Sequence, residues 1–166
     1  QDNPHMIDVN GSRRKIIIFT EHRDTLNYLV ARIRKLLGKD EAVLRIDGSV
    51  KREERRRVQE RFTQDKEISV LIATDAAGEG VNLQRANLMV NYDLPWNPNR
   101  LEQREGRIDR FGQRSPSVEV TLLYGSNNPI DGVVLEVLLR KAREIRRSIG
   151  ISVPFPENSA SVMEAV

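Results

Sequence analysis

Short apolar runs alternate with amphipathic stretches along the chain. Ile16–Phe19, Val43–Ile46, Ile68–Ala73, Leu88–Tyr92 and Val118–Tyr124 are rich in β-branched residues and have strand length. Most are apolar throughout, the pattern of strands covered on both faces. Between them, Asp24–Leu37 places Leu26, Leu29, Val30, Ile33 and Leu37 on one helical face, and Gly38 supplies a stop. Lys51–Thr63 offers only Val58 and Phe62 at i, i+4, which predicts a helix riding on the surface. Asn99–Arg110 is helical by composition. Asn128-Pro129 is a cap followed by a first-turn proline, for a helix that runs to Ser148 and stops at Gly150. Its stripe is Val134, Leu138, Ala142, Ile145 and Ile149.

This alternation predicts an α/β fold, a parallel sheet with helices on both faces. There is no internal repeat and no low-complexity tract. Residues 1–14 read as an N-terminal tail or added lead, 15–150 as the domain, and 151–166, which include Val153-Pro-Phe-Pro156, as a tail or linker.

The length of 166 residues suits one domain, and 39% apolar with 31% charged residues suits a packed core. The formal charge is only +3, but the kind of base changes the picture. Six lysines leave 21 arginines, and the guanidinium fork matches phosphate or carboxylate. Cysteine is absent, which excludes disulfides, thiolate zinc sites, iron–sulfur clusters and cysteine nucleophiles. With only His5 and His22, a histidine-rich metal site is not expected. No apolar run approaches the ~20 residues of a membrane span. Gln1–Asn10 lacks the apolar segment of a signal peptide, so a cytoplasmic location is expected.

In a parallel sheet, ligands gather beyond the carboxyl ends of the strands. The unusual residues of this chain fall there: Thr20-Glu21, Asp47-Gly48-Ser49, Thr74-Asp75-Ala-Ala-Gly78-Glu-Gly80 and Asp93–Pro98. Three constellations stand out. In Ala73–Leu83, two glycines permit close backbone approach and Thr74 can donate to phosphate, although an ordinary tight turn would read the same way. In Gln103–Gln113, Arg100, Arg104, Arg107, Phe111 and Arg114 follow a seven-residue repeat. Arg107 and Arg110, one helical turn apart, could reach one polyphosphate. The alternative is a solvated helix paired with Glu102, Glu105 and Asp109. Gly106 would be costly inside a plain helix, by about 1 kcal/mol relative to Ala, and close approach to its backbone would explain it. Third, Asp47-Gly-Ser49 precedes Lys51–Arg57, whose five positive and two negative charges suit either a nucleic-acid backbone or a solvated face. No phosphate loop of the form G-x-x-x-x-G-K-[ST] is present, and Asp40-Glu41 precedes its strand where a magnesium-binding acidic pair would follow one.

Taken together and in order, these motifs resemble the second RecA-like domain of superfamily 2 helicases and translocases. Lys15–Thr20 looks like motif IV, and Arg45-Ile-Asp-Gly-Ser49, with Arg55 and Phe62, like the block after it. Val70–Leu83 looks like motif V, and Gln103-Arg-Glu-Gly-Arg-Ile-Asp-Arg110 matches the Q-x-x-G-R-x-x-R form of motif VI. Asp93-Leu-Pro-Trp-Asn-Pro98 and Phe111-Gly-Gln113 are most similar to the SWI/SNF-related branch, in its bacterial form typified by the RNA-polymerase-associated ATPase. Asp75 departs from that branch, where Arg is frequent.

The resemblance implies a motor lobe that uses ATP with Mg2+, both held mainly by a preceding RecA-like domain. Arg107 and Arg110 would be arginine fingers, with Gln103 placing the γ-phosphate. Gly80, Asn82 and Gly106 would lie against the nucleotide. Thr20, Gly48, Ser49, Thr74 and Trp96 would line the nucleic acid, expected to be duplex DNA. Alone, such a lobe is expected to be a monomer inactive as an ATPase. Two rivals remain: the second lobe of a DEAD-box-like RNA helicase, which shares Asn91-Tyr-Asp-Leu-Pro95, and a catalytically silent binding module.

Overall fold

The computed structural model describes residues 6–7, 11, 13–77, 83–95, 97–113, 115–125, 128–149 and 163–164. Its elements in chain order are β1 (Ile16–Thr20), α1 (Arg23–Leu37), β2 (Val43–Ile46), α2 (Arg52–Gln64), β3 (Val70–Thr74), β4 (Leu88–Asn91), α3 (Pro98–Glu105), β5 (Glu119–Tyr124), α4 (Pro129–Ile149) and β6 (Met163–Glu164). The strands form one sheet in the order β2-β3-β1-β4-β5-β6, and each neighbouring pair is parallel. The five apolar runs all became strands, within two residues at either end. The two-residue β6 falls inside the stretch read as tail.

Burial explains why these runs are strands. β3 lies between β2 and β1, and all five of its residues are buried. On one face of the sheet Ile17, Phe19, Leu71 and Met89 pack with Phe62 of α2 and with Leu83, Ala86 and Ile108 from loops. On the other, Leu26, Leu29 and Val30 of α1 cover Val43, Val70 and Ile72. As the weak apolar pattern implied, α2 buries only Phe62, with Val58 partly covered. Lys15 ties this helix to the sheet: its ammonium donates to the carbonyls of Phe62 and Asp65 and sits 5.0 Å from the Phe62 ring centre. Burial pushes its pKa down to about 8.

The helix ends follow local chemistry. Gly38 closes α1 in the left-handed conformation (φ 63°), its N–H donating to the Arg34 carbonyl. Asn128 accepts from the Ile130 N–H at 3.1 Å ahead of Pro129, as the Asn-Pro pair predicted. The same pair recurs at Asn97-Pro98, where the Asn97 side chain accepts from the Asn99 N–H.

One expectation is corrected. The helix expected over Asn99–Arg110 is α3, and it ends at Glu105. The Gly106 N–H donates to Glu102 and Arg104 carbonyls, and turns rather than helix carry the chain through Arg107 to Gly112. Gly106 therefore stands at a helix end, not in a helix interior, and needs no ligand to explain it. A Cβ there would lie 3.2 Å from the Glu102 carbonyl oxygen, tighter than ordinary contact.

Candidate nucleotide and nucleic-acid site

The carboxyl ends of β1, β3 and β4 are adjacent, and Thr20 and Thr74 are register partners across β1 and β3. Both threonines are buried. The Thr20 hydroxyl donates to Asp93 Oδ2 and accepts from the His22 N–H, so it braces the loop from within. Gly48 and Ser49 are exposed. They turn over the buried Asp47, which accepts from both the N–H and the hydroxyl of Ser49. The Ser49 hydroxyl bond, helped by Arg23 and Arg45, holds the Asp47 carboxyl below the usual carboxylate range despite burial. Arg55 reaches back from α2 to the Gly48 and Val50 carbonyls. A Cβ on Gly48 would come within 3.1 Å of Ala76 Cβ, so the loop after β2 lies directly on the turn after β3.

Among the described residues, the largest fully buried side chain is a charged one, Arg104. Its Nε and Nη2 grip Asp75 at 2.6 and 2.7 Å, and Nη1 donates to Asn91 Oδ1 at 2.9 Å. Asp93 Oδ1 lies 3.6 Å from Nη2. The two parallel N–H···O bonds from a fully buried guanidinium make this a bidentate, charge-assisted pair. Burial alone would raise Asp75; the hydrogen bonds and charge of Arg104 and Arg100 override it and hold the carboxyl low. Arg100 adds a bond to Asp75 at 3.2 Å and lies 3.9 Å from Glu21. Arg100 and Arg104 therefore pair with other elements, not with Glu102, Glu105 or Asp109 along their own segment.

The seven-residue arginine stripe is not one surface. Arg104 is buried, Arg107 half-buried, and Arg110 and Phe111 exposed, because the helix stops before Arg107. Arg104 and Arg107 nevertheless lie against the same Phe19 ring, at 5.6 and 5.8 Å from its centre. Gln103 is exposed on the last turn of α3. The turns after it are pinned: the Arg107 carbonyl accepts from the Leu83 N–H, Gln84 donates to the Phe111 carbonyl, and Gln113 donates to the Ala86 and Ile108 carbonyls. Gly80, Asn82, Trp96 and Arg114 lie outside the described residues.

Sequence reasoning missed Arg104, Asn91 and the anchoring role of Asp75 and Asp93. A signal existed. Leu101, Arg104 and Ile108 share an i, i+3, i+7 stripe, and Leu101 and Ile108 are buried, so Arg104 points where its apolar neighbours point.

Residues 4–112 match the model of the helicase conserved C-terminal domain. The chain is 40% identical over 136 residues to the uncharacterized ATP-dependent helicase YqhH of Bacillus subtilis, covering 82% of this chain and 23% of that protein. It is 40% identical over 88 residues to the RNA polymerase-associated protein RapA of Proteus mirabilis, covering 52% of this chain and 8% of the other. Among solved structures, the C-terminal part of the Fun30 ATPase domain superposes with a TM-score of 0.68 at 29% identity, covering 75% of this chain and 39% of that one. The chain thus spans about a quarter or less of the length of these full-length relatives. The parallel sheet, the motif order and these relatives agree: the chain belongs to the helicase conserved C-terminal domain family, as a RecA-like domain of the SWI/SNF-related superfamily 2 type.

Proposed function

We propose that this chain is the second motor lobe of an ATP-dependent translocase acting on duplex DNA. One observation carries the reading: Gln103, Arg107 and Arg110 leave a helix that Arg104 anchors to the same sheet edge where Gly48 and Ser49 are exposed. Nucleotide chemistry and backbone binding would then share one base.

The donor set fits a triphosphate. Arg110 and Gln103 are exposed, and Arg107 stacks by Phe19 with its backbone held, a preorganised arrangement for charge developing on γ-phosphate oxygens. Gly106, Gly80 and Asn82 would border the sugar and base. Magnesium would be held by a preceding lobe; among the described residues no group of three or more histidine, aspartate or glutamate side chains is placed to hold a metal ion. ATP supplies the phosphoanhydride, and the arginines would stabilise its departing charge only when two lobes close, which ties hydrolysis to domain motion. On the nucleic-acid side, Gly48 and Ser49 would meet phosphates and Trp96 would pack against the nucleic acid or brace that site, with Thr20 and Thr74 beneath the loops. Contacts of this kind are sequence-independent and salt-sensitive. Such a lobe would work in the cytoplasm, and at the nucleoid if the source is bacterial.

The test is ATP turnover by the intact two-lobe protein. Stimulation by duplex DNA is expected, with Arg107→Ala lowering turnover about 10³-fold or more. Stimulation by RNA alone would favour the DEAD-box-like alternative. Unchanged turnover in Arg107→Ala would leave a silent binding module.

A further inference from the structure

Arg104 occupies one of two acceptor positions open to it. It holds Asp75 with two hydrogen bonds, while Asp93 Oδ1, 3.6 Å from Nη2, is buried and has no hydrogen-bond partner among the described residues. Buried carboxylate oxygens left without a donor are uncommon and costly. A small swing of the guanidinium would satisfy it. Asn91 already accepts from Nη1 and could serve as the pivot.

Each end of this swing leads somewhere different. Asp75 opens the turn after β3, whose Ala76 lies against Gly48 in the exposed loop after β2. Asp93 Oδ2 holds the Thr20 hydroxyl and the Glu21 N–H at the end of β1. Arg104 itself is three residues before Arg107, whose N–H donates to the Arg104 carbonyl at 3.2 Å, and both guanidiniums share the Phe19 ring. A load on the Gly48–Ser49 loop would therefore be felt at Asp75, and release of Arg104 from Asp75 would be felt at Arg107.

We propose that Arg104 is a positioning residue for Arg107 that moves from Asp75 toward Asp93 when nucleic acid engages the neighbouring loops. This rests on the motor reading above. It couples the two sites through a two-position element, which both ends can bias, and needs no direct contact between them.

The two carboxylates then have opposite effects, which a merely structural role would not give. In the intact two-lobe protein, Asp75→Asn loosens the resting grip and raises ATP turnover without DNA. Asp93→Asn turns an amide toward the guanidinium, removes the alternative acceptor and lowers turnover with DNA. Both variants are expected to reduce the ratio of DNA-stimulated to unstimulated turnover by about fivefold or more. That ratio is independent of the folded fraction, so partial misfolding cannot imitate the result. If both variants keep the wild-type ratio, or each scales both rates alike, the proposal is overturned. An Arg107→Ala control separates the failures. Full turnover in that control sinks the motor reading itself; lost turnover there, with unaltered ratios in the aspartate variants, sinks only the coupling.

Discussion

Arg104 and Glu105 are neighbours with opposite fortunes. Arg104 has acceptors on β4 and beyond β3, so removing it leaves Asp75 largely buried without its main counter-charge. Arg104→Ala is expected to cost about 3–5 kcal/mol in urea unfolding, the usual penalty for breaking a buried pair from one side. Glu105 closes α3 between Glu102 and Asp109, with Oε2 buried and lacking a hydrogen-bond partner among the described residues. Burial first, then the two like charges, push its pKa from 4.5 up to about 7. Between those values the folded chain keeps a proton that the unfolded chain has released, so stability falls as pH rises from 4.5 through 7. Glu105→Gln removes that slope. The variant is expected to gain on the order of 2 kcal/mol over the parent above neutral pH, after allowance for partial exposure, and nothing at about pH 4, as read by denaturation across that range. Neither residue was legible from charge patterning, because (i, i+4) arithmetic assigns partners along one helix and takes no account of the sheet edge that the helix crosses.

At the scale of elements, apolar runs and caps carried most of the information. Strand positions were legible because burial on both faces demands apolar residues at every position, as in β3. The Asn128-Pro129 start was legible because its chemistry is local. The end of α3 was not: a composition rich in Arg, Gln and Glu favours helix through Arg110, and only docking of the following turns on residues 83–86 decides otherwise. Asn97→Ala should remove the cap of α3 and lower stability by about 1 kcal/mol in thermal melts. Gly112 sits at φ 100° in the pinned turn, with Gln84 Oε1 3.4 Å from where a Cβ would be. Gly112→Ala should therefore strain the segment bearing Arg110 and Phe111, costing about 1–2 kcal/mol by the same measurement.

For the whole molecule, the sheet reverses direction at β1: the chain moves to β2 and β3 on one side, then crosses to β4 and β5 on the other. Such a switch point opens a crevice at the carboxyl edge. On the motor reading proposed above, the phosphate-holding half of the site would belong to another lobe, so the purified chain alone should hydrolyse ATP negligibly and bind DNA weakly and salt-dependently; robust turnover in a coupled assay would contradict this. That edge was legible as a place but not as a network, since its hydrogen bonds join residues from 13 positions apart (Arg104 and Asn91) to 73 apart (Thr20 and Asp93). The parallel pairing carries a kinetic consequence as well. No two neighbouring strands can zip from a hairpin; Ile16 finds Val70 and Leu88 only after long stretches of intervening chain are ordered. Refolding should accordingly be slow for the chain's size, in about milliseconds to seconds by stopped-flow fluorescence. Throughout that interval the apolar edges of β1 and β3 lie open to other chains, so recovery of native protein should decline as the refolding concentration is raised.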